Sequence, residues 1–392
     1  MQDSTLGDRL ASIRRRRGLT QRELASRSGV SYSLIRQVER GERETTRLET
    51  ARKLAVPLGV QTSVLLSGGD ADEAFADTVA DWAPVTGALF AAPDDEDEVG
   101  LSASAVRATI GELRPMLEAC RYGDATALLP ALLRDARALT GGSEARQARC
   151  SAFLLAGSLL VQTRQWDAAE AALRMAADAA ASRLDEATTV GILTWMWVRQ
   201  GRVAEARELA TRWADDIEPK LSKATDEELA VWGRMLLRVA NAAVVDNRPD
   251  EGAEALDLAA VAAARIGREM HADVTTLDVF GPASVLMLRA ETAVLVGQPV
   301  RALELTHQLG SEHVFLPLSG SRSRHRLDVA NALAQLRRYP QALTVLEGLR
   351  RDTPQWLLQQ RYARDVMSRI VSRRRVLSED MRGLADFLRV PY

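Results

Sequence analysis

The chain has 392 residues, 46 % hydrophobic and 27 % charged, with a formal net charge of −2. Such a composition excludes gross disorder, and the length allows two or three domains with an ample buried core. Aromatics at 5 %, recurrent alanine and leucine and few β-branched runs favour helices packed on small residues over a sheet.

Residues 1–68 hold 13 Lys and Arg against 7 Asp and Glu, a net +6, and the remainder carries −8. A basic head of this kind suggests a polyanionic partner. Within it, residues 5–17 read as a helix with Leu6, Leu10 and Ile13 on one face. Gly18 stops this helix. Thr20 caps a second, Gln21 to Ser28, with Glu23 completing a capping box. Gly29 turns the chain, and Ser31 caps a third helix to Arg40 with Ile35 and Val38 inward. Further helices are expected from Leu48 to Leu58 and from Gln61 to Leu66.

The stretch Thr20-Gln21-Arg22-Glu23-Leu24-Ala25, then Gly29-Val30-Ser31, then Ile35, Val38, Glu39, Arg40 and Gly41, resembles the lambda-repressor-like, or XRE-type, helix-turn-helix family. Leu48-Glu49-Thr50 and Leu58-Gly59-Val60 continue the likeness. The resemblance implies a DNA-binding head at 1–68 whose third helix enters the major groove. It assigns base contacts to Tyr32, Ser33 and Gln37. Gln21 and Ser31 would meet phosphate at helix N-termini, and Arg36, Arg43 and Arg47 would add phosphate contacts. Arg14 matches the family position that pairs with the third-helix glutamate, here Glu39, a structural pair. Glu42 and Glu44 depart from the pattern, because basic residues there would favour DNA. A helix-turn-helix that serves only protein contacts is the competing reading of this head.

Residues 69–103 hold ten acidic and no basic side chains, including Asp94-Asp95-Glu96-Asp97-Glu98. They read as an acidic linker, solvated or in charge contact with the basic head. Phe75, Val79 and Trp82 fall at helical spacing, as a short amphipathic helix packed on a neighbour or pairing two heads.

Residues 104–392 read as amphipathic helices without a convincing strand. Gln165-Trp166-Asp167-Ala168-Ala169, Gly201-Arg202-Val203-Ala204-Glu205-Ala206, Arg248-Pro249-Asp250-Glu251-Gly252, Gln298-Pro299-Val300-Arg301-Ala302 and Arg338-Tyr339-Pro340-Gln341-Ala342 repeat one form, with a weaker copy at Gly123 to Leu128. Anchors at Leu128, Ala169, Ala206, Gly252, Ala302 and Ala342 are 41, 37, 46, 50 and 40 residues apart. Twelve positions before five of them lie Gly157, Thr194, Ala240, Ala290 and Ala330. This resembles tetratricopeptide repeats, with longer units. The expected fold is therefore all-α: a five-helix head followed by a helical-hairpin solenoid that senses a ligand and dimerises, capped by its C-terminal helices.

In tetratricopeptide proteins the first helix of each pair lines the concave face. That resemblance places Ser158, Trp195, Asn241, Glu291 and Asn331 in one groove row. Gln162, Arg199, Val245, Leu295 and Gln335 form a second, and Ser151, Thr188, Arg234, Ser284 and Arg324 a third. Asn241 and Asn331 would clamp the backbone of an extended peptide, unless each bonds a neighbouring helix. Arg234 and Arg324 would hold a carboxylate. The ligand-binding set is thus Trp195, Arg199, Arg234, Asn241, Glu291, Arg324 and Asn331. Trp195 and Trp197 also suit core packing.

Nothing recommends an enzyme. There is no GxxxxGK[ST] loop and no GxSxG elbow. Cys120 and Cys150 are too few for a disulfide scaffold or zinc site, and His307 and His313 do not share a helix face, so neither metal nor cofactor is expected. No run of about 18 apolar residues occurs and Met1 to Arg17 has no apolar signal core, so a cytoplasmic protein without a membrane span is expected. The arrangement looks like bacterial receptors that fuse such a head to tetratricopeptide repeats and answer signalling peptides in quorum sensing. It implies a homodimer on a pseudo-palindromic operator. The alternatives are a scaffold whose repeats dock a protein and a regulator that senses a small molecule.

Overall fold

The computed structural model describes residues 5–43, 48–58, 60, 65, 81–91, 102–271, 279–309, 320–374 and 376–392. They divide into two compact units, one built from 1–77 with 337–392 and the other from 78–336. The fold is all-α, with an N-terminal helix-turn-helix head followed by helical repeats.

The head comprises α1 (Leu6–Arg16), α2 (Gln21–Ser28), α3 (Tyr32–Glu39) and α4 (Leu48–Leu58). Thr5 and Asp8 form a capping box on α1, Thr20 and Glu23 form one on α2, and Ser31 Oγ accepts from the Leu34 N–H at α3. Each box satisfies donors that a helix start otherwise leaves unpaired. Gly29 ends α2 in the left-handed region at φ 67°, where an L side chain is disfavoured. Leu10, Leu24, Ile35, Leu54, Leu58 and Leu65 close the core. Gly7 lets α1 approach α3, since a Cβ there would lie 2.2 Å from the Val38 carbonyl oxygen. The helix expected at 61–66 lies outside the described residues except for buried Leu65.

Phe75, Val79 and the acidic run 94–98 also lie outside the described residues. Trp82 is buried and precedes α5 (Ala83–Phe90), whose last carbonyls, Ala88 and Leu89, accept from Arg137 at 3.1 and 2.9 Å. A cation at a helix C-terminus is favourable for both capping and dipole.

The repeats follow as α6 (Ala103–Glu118), α7 (Tyr122–Ala138), α8 (Ser143–Gln162), α9 (Trp166–Ala179), α10 (Arg183–Arg199), α11 (Val203–Asp216), α12 (Asp226–Val245), α13 (Pro249–Ile266), α14 (Pro282–Leu295), α15 (Pro299–Gln308) and α16 (Gly320–Gln335). First helices α6, α8, α10, α12, α14 and α16 pack in series, and each second helix from α7 to α15 also packs on the next first helix. Helices α8 and α12 bury residues almost all round, as expected of helices covered by neighbours on both sides.

One turn recurs between paired helices. Cys120, Arg164, Gly201, Asn247 and Gly297 all have positive φ, and each immediately precedes the N-cap of the second helix. Those N-cap amides, Arg121, Gln165, Arg202, Arg248 and Gln298, reach back five residues to a carbonyl at 2.7–2.9 Å. This is the bond pattern of a left-handed helix stop. The buried small residue follows four positions after each cap at Ala169, Ala206, Gly252 and Ala302. In α7 that register selects buried Ala125, not Leu128, which is only half-buried. The leucine run there disguised a three-residue offset.

The expectation of no strand is corrected at one place. Antiparallel β1 (Met270–His271) and β2 (Val279–Phe280) pair Met270 with Phe280 and His271 with Val279. Phe280 is fully buried, and Glu269 accepts from the Ala283 N–H at 2.6 Å and the Ser284 hydroxyl at 2.7 Å. A carboxylate thereby caps the start of α14.

The chain continues through α17 (Tyr339–Asp352), α18 (Pro354–Leu358), α19 (Arg361–Val371) and α20 (Glu379–Phe387) in the first unit. The left-handed turn recurs at Arg337, before the N-cap of α17. Among the described residues no helix is long and apolar enough to cross a membrane.

Candidate DNA-reading helix and ligand groove

Two surfaces gather the predicted residues. On the head, α3 is fixed from within by Ile35 and Val38, while Tyr32, Ser33, Arg36 and Gln37 face outward. Ser31 Oγ lies 3.2 Å from Ser33 Oγ, and Arg22 stacks 5.8 Å from the Tyr32 ring centroid. The exposed residues at the N-terminal end of α3 form a polar tip beside the start of α2.

Arg14 locks this arrangement. Its Nε and Nη2 donate to the two Glu39 carboxylate oxygens at 2.6 Å each, and Nη1 donates to the Leu19 carbonyl at 2.8 Å. Both side chains are largely buried, where a planar fork on a carboxylate is strong and directional. Gln21 joins them, donating from Nε2 to Glu39 Oε2 at 2.8 Å. The side chain predicted to meet phosphate is thus held by the structural pair. Arg43 is exposed, whereas Arg47 lies outside the described residues.

In the repeats, Trp195 and Asn241 are half-buried on their first helices, and Asn331 is buried. The Asn241 side chain has no hydrogen-bond partner among the described residues. Arg199 and Arg238 lie 5.3 and 5.4 Å from the Trp195 ring centroid. Trp197 instead meets Arg202, at 4.2 Å. Arg324 and Glu291, both predicted to face ligand, meet each other at 2.7 Å, with Asp328 3.4 Å from Arg324 Nε. Arg234 lines a shallow cleft between α10 and α12 with Thr188, Gly191, Met235 and Arg238.

Arg199 and Arg324 stand on first helices three hairpins apart, yet Arg324 and Arg164 are near enough to repel Arg199. Burial is the larger influence, and together these push the Arg199 guanidinium down to about 9, with Tyr122 opposing. Removing a cation from water disfavours its charged form, and like charges add to that cost. Arg164, Arg238 and Tyr122 were not foreseen in this setting. Arg238 was within reach, being four residues after Arg234 on the same helix face. Nothing in the pattern marked Arg164, a turn residue, or Tyr122. Cys120 and Cys150 are buried and not joined in a disulfide, and burial pushes the Cys120 thiol up to about 11.

Comparison with known proteins places the head. The helix-turn-helix family model HTH_3 matches residues 10–65. The uncharacterized HTH-type transcriptional regulator y4dJ of Sinorhizobium fredii is 40 % identical over 65 residues, 17 % of this chain and 83 % of that protein. The uncharacterized HTH-type transcriptional regulator RghRB of Bacillus subtilis is 36 % identical over 76 residues, 19 % of this chain. The match spans about half, 55 %, of the Bacillus relative's length. A crystal structure of Bacillus thuringiensis PlcR in complex with the peptide PapR7 and DNA is similar at TM-score 0.37 and 13 % identity, over 80 % of this chain and 98 % of that one.

The head and its family define a DNA-binding transcriptional regulator. The chain belongs to the helix-turn-helix family of XRE type, through residues 10–65.

Proposed function

We propose that the protein is a cytoplasmic, homodimeric regulator that binds a pseudo-palindromic operator through 1–68 and is controlled by a signalling peptide in the groove of 104–392, with 69–103 as the linker. The observation that carries the reading is the division of α3 into a buried apolar face, Ile35 and Val38, and an exposed polar one, Tyr32, Ser33, Arg36 and Gln37. Ser33 and Gln37 offer hydrogen bonds to base edges. Arg36 and Arg43 offer charge to phosphate, together with Arg47 and the α2 and α3 N-termini at Gln21 and Ser31.

The groove reading is supported by the accessible Asn241 amide, a ready donor and acceptor for peptide backbone, and by Trp195 beside it in the predicted row. Asn331, Arg234, Arg199 and the Arg324–Glu291 pair complete the proposed set.

Footprinting of the full chain on its own upstream DNA at several salt concentrations tests the proposal. The expected result is a protected dyad, lost steeply with salt and abolished by Ser33→Ala with Gln37→Ala. Uniform weak protection, insensitive to that double substitution, rejects sequence readout by α3.

A further inference from the structure

Arg199 is a half-buried cation with no counter-ion among the described residues. Its Nε is shut off from solvent and makes no hydrogen bond, and Nη2 reaches only the Gln162 carbonyl, at 3.4 Å. No carboxylate pairs with it among the described residues. Glu291 and Asp328 pair with Arg324. Arg164 and Arg324 bring further positive charge toward it. The Arg199 guanidinium carbon lies 5.3 Å from the Trp195 ring centroid, with Arg238 also beside that ring.

A guanidinium in this state carries the cost of desolvation without the compensation of a fork-to-carboxylate pair. The cost is relieved when an anion enters, and the planar donor set of arginine selects a carboxylate held by two parallel bonds. Trp195 offers an apolar wall next to the charge, suited to the carbon chain that bears such a group.

We infer that Arg199 anchors a carboxylate-binding subsite in the repeat groove, with Trp195 as its wall, so that the ligand carries a free carboxylate. The inference rests on the groove being the ligand site. The carboxylate belongs either to the C-terminus of a peptide or to a small organic acid.

The test uses the full chain without DNA, so it is independent of operator binding. Acetyl-tetraalanine as free acid, the same peptide as C-terminal amide, and succinate are titrated at constant ionic strength. The signal is the tryptophan emission lost in Trp195→Phe. The expected result is a saturable change with the free acid, at least about tenfold weaker with the amide. Arg199→Gln should remove that preference, and Arg199→Lys should keep part of it. Succinate matching the peptide acid assigns the site to small acids, and succinate much weaker assigns it to a peptide terminus. Equal binding of acid and amide overturns the carboxylate subsite while leaving the groove reading standing. No response to any of the three probes overturns the subsite outright. Should Arg199→Gln not fold, the acid-to-amide ratio in the unsubstituted chain decides by itself.

Discussion

Arg17 and Tyr392 are 375 positions apart, and the Arg17 guanidinium lies 3.8 Å over the Tyr392 ring centroid. Arg17 also donates to the Tyr392 oxygen and pairs with Asp386, and the Tyr392 hydroxyl donates to Asp386 Oδ1 at 3.0 Å. Arg382 adds a bond to the Arg17 carbonyl at 3.4 Å. The residue just before the α1–α2 turn is thereby tied to α20 and the segment after it. Burial works against the charge on Arg17, and Asp386 offsets part of that.

Loss of the Tyr392 ring should therefore destabilise the first unit. Tyr392 is fully buried, so Tyr392→Ala is expected to cost about 3 kcal/mol, and Tyr392→Phe about 1 kcal/mol through the lost hydroxyl bonds. Urea titration read by far-UV circular dichroism measures both. Equal midpoints for all three proteins would show that the clasp contributes nothing.

The Arg14–Glu39 pair makes a second prediction. Arg14→Ala leaves Glu39 buried with only Gln21 to satisfy it. Breaking a buried pair from one side costs about 3–5 kcal/mol. Arg14→Lys keeps the charge but not the fork, and should fall between. Denaturant midpoints give the ranking, and footprints should weaken in the same order because α2 and α3 are fixed through Glu39.

The head was legible because its signals are local. Thr20 with Glu23, Ser31 and Gly29 act within one turn, and each took its expected role. The Arg14–Glu39 pair followed from the family likeness. The repeats were legible as a period but not in every register, as the Leu128 offset shows. What the pattern could not carry is convergence in space. Arg199 and Arg324 approach through the winding of three hairpins, and Arg17 meets Tyr392 across the first unit; neither distance has a linear signature. The link from Gln21 to Glu39 escaped for a different reason, since a side chain can serve either phosphate or a neighbour.

The left-handed turns can be tested by exchange. Gly201 has φ 83° and Gly297 φ 77°, and neither has an atom near the position of a Cβ. Gly201→Ala and Gly297→Ala should each cost about 1 kcal/mol through backbone strain alone. Arg337 at φ 59° carries that strain already, so Arg337→Gly should gain about 0.5 kcal/mol, net of the added freedom of the unfolded chain. Thermal midpoints of the three variants should shift in opposite directions, down for the alanines and up for the glycine.

His325 supplies a pH dependence. It is buried on α16, and neither ring nitrogen finds a hydrogen-bond partner among the described residues. Burial pushes its pKa down from 6.5 to about 4. Between those values the unfolded chain binds a proton that the folded chain does not. Stability contributed by the neutral ring is complete above pH 6.5 and falls as the pH drops toward 4. The full change is about 3 kcal/mol, from 1.36 kcal/mol per pKa unit. His325→Leu removes the titration and the two unsatisfied nitrogens, so it should flatten this slope and leave stability at pH 7.5 equal or higher. Urea midpoints at pH 7.5, 6 and 5 measure it. A variant that loses stability as steeply as the unsubstituted protein would assign the acid sensitivity to other groups.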